Sequence, residues 1–147
     1  MADIGLNPPG TRHDRVVSGV ASVAGIKFGD VVLMDVAASG QHAAVTLTAT
    51  AGASPIKGIC VTQTNPTTGS AIGDPLEICT QGIAEVNLAA STVIVKGDKL
   101  ITSTTLGAVK KLAAETTPDV LGRADQDMAS TANVTRISCE IGIYQHA

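Results

Sequence analysis

The chain has 147 residues and a net charge of −3; 44% of its residues are hydrophobic and 16% are charged. This length and composition are typical of one folded domain rather than of a disordered chain. Phe28 and Tyr144 are its aromatic residues and it has no Trp, which argues against sites that stack bases or sugars on aromatic side chains. The ten Lys and Arg residues are scattered along the chain, so we expect no basic face for nucleic acid.

The sequence predicts a soluble protein with no membrane partner. A membrane-spanning helix needs about 18 consecutive apolar residues, and no segment of this sequence contains such a run. The opening sequence MADIGLNPPGTRHDR lacks the basic and apolar regions of a secretory signal. We therefore expect the protein to be made in a cytoplasm.

Residues 1–14 are predicted to form an extended N-terminal arm, followed by a single β-rich domain over residues 15–147. The segment Pro8-Pro9-Gly10 disfavours both a helix and a central strand. The arm is either a frayed terminus or a segment that lies on a neighbouring subunit, where its arginines would pair with acidic groups. The candidate contact residues are Pro8, Pro9, Arg12 and Arg15.

After the arm, short runs rich in Val, Ile and Thr alternate with Gly, Asp, Asn and Pro, which predicts an all-β fold. In the segment AVTLTA, for example, Val45, Leu47 and Ala49 fall on one face and threonines on the other, as a half-buried strand requires. No long window carries a helical apolar stripe free of Gly and Pro. We expect a small β-barrel or β-sandwich with short strands. The candidate strands are residues 15–20, 31–35, 44–50, 58–64, 75–80, 83–88, 92–95, 99–102, 108–112, 120–124 and 134–144.

A short unit recurs along the chain: Gly-Asp precedes an apolar strand at Gly29-Asp30, Gly73-Asp74 and Gly97-Asp98. Gly can adopt the positive φ of a turn, and Asp can accept hydrogen bonds from nearby backbone N–H groups. The first and third copies continue alike, through a loop rich in Ala and Thr, to an apolar-x-Gly-x-Ala/Cys strand at residues 56–60 and 120–124. The repeat predicts a shared architecture and does not by itself indicate a function.

The second copy, GDPLEICTQGIAEVNLA, is predicted to be a β-hairpin with its turn at Gln81-Gly82. Glu77 and Glu85 would then face each other across the hairpin. Opposed carboxylates destabilise a sheet unless they are solvated or bound by a cation, and we expect them to be solvated.

Residues with catalytic or metal-binding chemistry form no recognised pattern. Cys60, Cys79 and Cys139 are widely spaced in apolar runs and are predicted to be reduced, buried thiols. A catalytic cysteine would need a nearby base, and the histidines fall in terminal or loop-like sequence. Asp125-Gln126-Asp127 lacks the other ligands of a calcium loop and is predicted to be a turn. No phosphate-binding loop or G-x-S-x-G motif occurs, so we expect no enzymatic activity, cofactor or metal.

The motifs GDVV, IKGICV, GDPLEICTQGIAEVNLA, KGDKLITSTTLGAVKKL, DVLGRA and RISCEIGIY follow one another in this order. Over roughly residues 16–144 the chain thereby resembles the small capsid decoration, or cement, proteins of tailed phages. The resemblance implies a β-barrel-like virion protein that binds the major capsid protein on the outer surface of a mature shell and stabilises it. It also implies a homo-oligomer, with a trimer expected, and neither cofactor nor catalysis. The resemblance assigns no site residue.

A second interpretation is a β-barrel binding or adhesion module, such as a fibre domain or an accessory carbohydrate-binding domain. It would need a concave site, and the scarcity of aromatic residues counts against a sugar ligand. In both interpretations the strand at residues 134–144, or the first strand after the arm, is a candidate edge for pairing with another chain.

Overall fold

A computed structural model describes residues 11–38 and 43–146, and each regular element in these ranges is a β-strand. The all-β prediction is therefore confirmed. The strands are β1 (Arg12–Ala21), β2 (Val31–Met34), β3 (Ala44–Thr46), β4 (Ile56–Cys60), β5 (Pro75–Leu88), β6 (Lys99–Thr102), β7 (Val109–Lys111), β8 (Asp119–Ala124) and β9 (Thr135–Gln145).

The strands form one nine-stranded sheet in the order β1-β3-β2-β4-β5-β7-β6-β8-β9, and β5 also pairs with β1 and with β9. The pairings thus close into two circuits that share β5. We call the circuit from β1 to the first half of β5 the first lobe, and the circuit from the second half of β5 to β9 the second lobe. Because one strand belongs to both circuits, the fold is one large sheet rather than a clean barrel or two separate sheets.

The two lobes have the same pattern of strand pairing. In the first lobe β1 pairs in parallel with β3, and in the second lobe β5 pairs in parallel with β7. The remaining pairs of each lobe are antiparallel and correspond one to one. The repeat predicted from the sequence is therefore a repeat of structure.

The three Gly-Asp turns have the same geometry. Their glycines have φ of 87°, 90° and 95°, which residues with a Cβ rarely adopt. Each Asp carboxylate accepts a hydrogen bond of 2.8–2.9 Å from the backbone N–H three residues earlier. Each Gly N–H donates a hydrogen bond to the carbonyl of the last residue of an apolar-x-Gly-x-Ala/Cys segment. For Gly73 that segment is residues 17–21 of β1, which is therefore a third copy of the motif. These donor–acceptor pairs are Gly29–Cys60, Gly73–Ala21 and Gly97–Ala124.

The predicted hairpin at Gln81-Gly82 is wrong, because β5 runs unbroken from Pro75 to Leu88. Gly82 lies inside the strand with φ of 117° and is paired with His13 on one side and Ile141 on the other. The change of backbone direction at this glycine passes the strand from the first lobe to the second. Consequently Glu77 and Glu85 lie on one strand and do not face each other across a turn.

Other predicted elements differ at their ends. Residues 92–95 form no strand, and Ile94 makes an isolated bridge to Met128. β1 begins at Arg12, where it pairs with Ile83 of β5, so its first residues come from the segment predicted as the arm. β1 extends to Arg12 because it pairs there with β5, and this long-range pairing is not visible in the local sequence.

Each lobe encloses an apolar interior at equivalent positions. When the paired strands of the two lobes are superimposed in register, each interior residue of the first lobe corresponds to an interior residue of the second. The first-lobe residues are Ala21, Ile26, Val32, Val45, Cys60, Leu76 and Ile78, and their equivalents are Leu88, Ile94, Leu100, Val109, Ala124, Ile137 and Cys139.

One face of the first lobe joins the two interiors. Val31, Ile59 and Cys79 are fully buried and belong to the same cluster as the second-lobe interior. The equivalent face of the second lobe is charged and is not buried. Its residues are Lys99, Arg123 and Glu140.

Candidate subunit-binding surface

The first half of β1 presents the basic residues proposed from the sequence. Arg12 and Arg15 are both exposed, while irregularities in the ladder to β5 flank Arg15 on both sides. Such bulges re-aim side chains on a strand. Val16, which is 40% exposed, adds an apolar side chain to this surface. Pro8 and Pro9 lie outside the described residues.

Arg12 and Arg15 differ in their partners. The Arg12 Nε donates to Asp14 Oδ1 at 2.9 Å, with both side chains largely in solvent. An exposed pair of this kind contributes little to stability. Arg15 makes no ion pair within residues 11–38 and 43–146, so its guanidinium remains available to an external acidic group.

Two strands were predicted as candidate edges. β9 pairs with β5 on one side and β8 on the other, so the prediction of an edge there is wrong. β1 pairs with β5 along its length, whereas β3 reaches only Val20 and Ala21. In the part of the chain that the structure describes, the outer side of β1 at residues 15–18 therefore carries no strand.

Sequence reasoning missed a cleft where the two lobes meet. Two adjoining cavities of about 340 and 230 Å³ share Lys27, Asn87 and Val134 as lining residues. These residues come from a turn, from β5 and from the loop before β9, and no local pattern predicts that they meet. We call this the seam cleft, defined by Lys27, Asp30, Asn87, Leu106, Val134 and Arg136.

Asp30 is the buried acid of the seam cleft and is 6% exposed. Its Oδ1 accepts a hydrogen bond from Asn87 Nδ2 at 2.8 Å, and its Oδ2 accepts one from the backbone N–H of Lys27 at 2.9 Å. Burial raises the pKa of the Asp30 carboxyl to about 6, although both hydrogen bonds act in the opposite direction. Both carboxylate oxygens are therefore already bound within the protein.

Two cations lie near this carboxylate. The Arg136 guanidinium stacks over the Phe28 ring, 4.7 Å from its centroid, and its Nε donates to Asn87 Oδ1 at 3.4 Å. Lys27 is half-buried, and its ammonium makes no ion pair among the described residues. The seam cleft thus holds more positive than negative charge.

The cysteines are placed as the sequence predicts. All three are free and buried. Desolvation raises the pKa of Cys60 to about 11 and that of Cys139 to about 12, and it also raises the pKa of Cys79. Thiols with a raised pKa are poor nucleophiles and poor metal ligands at neutral pH.

At residues 125–127, where a turn was predicted, two side chains bind the backbone of neighbouring segments. Gln126 Oε1 accepts a hydrogen bond from the Ser138 N–H at 2.7 Å, and Asp127 Oδ1 accepts one from the Lys96 N–H at 2.8 Å. No cluster of His, Cys, Asp and Glu suited to a metal ion occurs within residues 11–38 and 43–146.

The described residues contain no helix long and apolar enough to cross a membrane. No known protein-family profile matches the chain, and no curated protein matches it. Among solved structures, the chain is similar to the N base of the head fibre protein gp8.5 of bacteriophage phi29, with 14% identity and a TM-score of 0.44. The match covers 90% of this chain and 98% of the other.

Proposed function

We propose that this chain is a non-enzymatic structural protein of a tailed-phage virion, which binds the outer surface of the assembled capsid and stabilises the mature shell. The proposal rests on the resemblance of the motif series over roughly residues 16–144 to capsid decoration proteins. One structural observation supports it: the Gly-Asp units of that series are the framework of the fold and form the same hydrogen bonds in both lobes.

The architecture suits a protein that holds neighbouring shell subunits together. The two lobes share the strand β5, and the buried face of the first lobe at Val31, Ile59 and Cys79 belongs to the same apolar cluster as the second-lobe interior, so the described residues form one continuously packed body. A protein that binds only the assembled shell stabilises it by mass action. In a homo-oligomer, for which we propose a trimer, several linked contacts strengthen each other through avidity. The partner in this proposal is the major capsid protein.

The contact surface that we propose is the first half of β1 together with the segment before it. Arg12 and Arg15 are exposed on the strand, and Arg15 has no ion pair among the described residues. An arginine in this state can form a bidentate pair with a carboxylate of a shell subunit. Pro8 and Pro9 would add an extended, apolar contact next to it.

Co-sedimentation tests this function. Purified protein is mixed with mature, undecorated shells of the phage that encodes it, and in parallel with dissociated shell subunits. We expect the protein to pellet with the shells at a fixed ratio and to leave the free subunits unbound. A folded protein that stays in the supernatant would refute the proposal, and a reproducible hit on a glycan array would then favour an adhesion module.

A further inference from the structure

The seam cleft combines excess positive charge with an exposed apolar rim. Lys27 makes no ion pair among the described residues, and the carboxylate of Asp30 has both oxygens occupied. Beside them, Leu106 is 58% exposed and Val134 is 47% exposed. A partner surface that fits this arrangement carries one carboxylate flanked by aliphatic side chains.

The turn that follows β2 carries the complementary arrangement, and we call residues 34–36 the β2 turn. Among the described residues, Asp35 is the acid with an exposed large apolar side chain on both sides: Met34 is 44% exposed and Val36 is 82% exposed. Asp35 Oδ1 accepts a hydrogen bond from the Ala37 N–H at 3.1 Å, and no ion pair of the described residues involves this acid. Its carboxylate is therefore available to a cation of a partner.

The β2 turn and the seam cleft of one subunit lie at opposite ends of β2. At the start of the strand, the Val31 N–H donates to the Gly107 carbonyl beside the cleft, at 3.0 Å. Asp35 comes four residues later, which is about 13 Å along an extended strand. Pairing with β3 and β4 holds β2 between these two points. The two surfaces can therefore meet only when they belong to different copies of the chain.

We propose that the seam cleft of one subunit binds the β2 turn of a second copy. Lys27 and Arg136 bind the carboxylate of the second copy's Asp35, and its two flanking apolar side chains cover the rim at Leu106 and Val134. The contact joins two different surfaces, so three copies can close into a ring with three identical contacts. The inference rests on the homo-oligomer of the proposed function and names its interface, and it leaves Arg15 on β1 free for the shell.

Disulfide formation between copies tests this contact. Val36→Cys and Val134→Cys are made as separate variants, mixed in the reduced state and then oxidised; the native thiols are buried and have raised pKa values, so they react slowly. We expect a cross-linked dimer from the mixture and much less from either variant alone.

Val93→Cys is the matched control, since Val93 is 58% exposed but lies in the second lobe away from the cleft-lining residues. Mixed with Val36→Cys, it should give only the background of either variant alone. Cross-linking of Val36→Cys with Val134→Cys at this background level overturns the proposal. Equally strong cross-linking of Val36→Cys with itself would also overturn it, because the contact would then join two identical surfaces.

Reversal of charge tests the role of Asp35 in self-association, measured by sedimentation velocity without shells. Asp35→Lys should raise the dissociation constant at least about tenfold, whereas Glu77→Lys, the same reversal at an exposed acid of β5, should leave it unchanged. Lys27→Glu combined with Asp35→Lys should associate more tightly than Asp35→Lys alone, because opposite charges meet again. A double variant that associates no more tightly contradicts the pairing of Lys27 with Asp35.

The same preparations separate this contact from shell binding. A protein that is monomeric in solution but pellets with mature shells refutes the contact and leaves the shell-binding function standing. An oligomer that shows the expected cross-links and charge effects but does not pellet with shells supports the contact and refutes the shell-binding function.

Discussion

Two glycines occupy equivalent points of closest approach in the two lobes. A Cβ at Gly58 would collide with the carbonyl oxygen of Cys79, and a Cβ at Gly122 would collide with that of Glu140. Both obstacles are backbone atoms of the neighbouring strand, which move only if the sheet is distorted. The glycine at these two positions is therefore required because the neighbouring backbone leaves no room for a Cβ atom.

Gly122→Ala should consequently lower the free energy of unfolding by about 3 kcal/mol, the upper range for an overpacked site. Gly142→Ala is the matched control, because nothing lies within 4 Å of a Cβ built there, and it should change stability by less than about 0.5 kcal/mol. Urea titrations measure both variants. Equal stability of the two variants would contradict the close approach of β8 and β9.

Asp30 makes the stability of the protein depend on pH. Its pKa of about 6 in the folded state exceeds the ordinary value of 3.8 because of burial, so the folded state holds the proton more tightly. The resulting contribution to the free energy of unfolding is complete below about pH 3.8 and is lost as the pH rises through about 6. It amounts to about 3 kcal/mol.

The difference in stability between the wild type and Asp30→Asn isolates this effect, since the variant lacks the titrating group. On acidification from about pH 7.5 to about pH 4, the wild type should gain about 2–3 kcal/mol relative to the variant. Chemical denaturation at both pH values measures this difference. A difference that does not vary with pH would mean that the Asp30 carboxyl is solvated in the folded protein.

At the scale of elements, β5 is the strand on which both lobes depend. If it is continuous, the amides of residues 81–83 should be protected from hydrogen exchange to the same degree as those of residues 76–79. A hairpin turn at this point would expose them to solvent. Hydrogen exchange followed by mass spectrometry distinguishes a continuous strand from a hairpin. Rapid exchange at Gly82 alone among the β5 amides would support the hairpin and contradict the continuous strand.

The basic surface of β1 makes a second prediction at this scale. Arg15→Glu should weaken binding to assembled shells at least about tenfold, which corresponds to about 1.4 kcal/mol. Added salt should narrow the difference from wild type, because exposed charges are screened. Lys96→Glu, an equal charge reversal at an exposed residue of the second lobe, serves as the control. Equal binding of both variants would exclude β1 as the contact surface.

Sequence predicts those elements whose causes are local. The Gly-Asp turns were predictable because the glycine φ and the Asp hydrogen bond involve residues only three apart. The continuity of β5 was not predictable, since Gln81-Gly82 has the composition of a turn and Gly82 is kept in the strand by its pairing with His13 and Ile141. The seam cleft was equally hidden, because Lys27, Asn87 and Arg136 meet only through strand topology.

For the whole molecule, the equivalent faces of the two lobes differ in polarity, which sets the side on which the lobes pack together. The first-lobe face at Val31, Ile59 and Cys79 is apolar and buried against the second lobe. The equivalent second-lobe face carries Lys99, Arg123 and Glu140, which would be costly to bury. A further body could pack on this face as the second lobe packs on the first only by burying these charges.

The most direct test of the proposed function is cryo-electron microscopy of mature shells after incubation with the purified protein. We expect symmetric extra density at fixed lattice points, large enough for a small oligomer of two-lobed subunits, with the β1 surface of each subunit against the shell. Shells that show no added density, although the protein is folded and in excess, would contradict the proposed function of this chain.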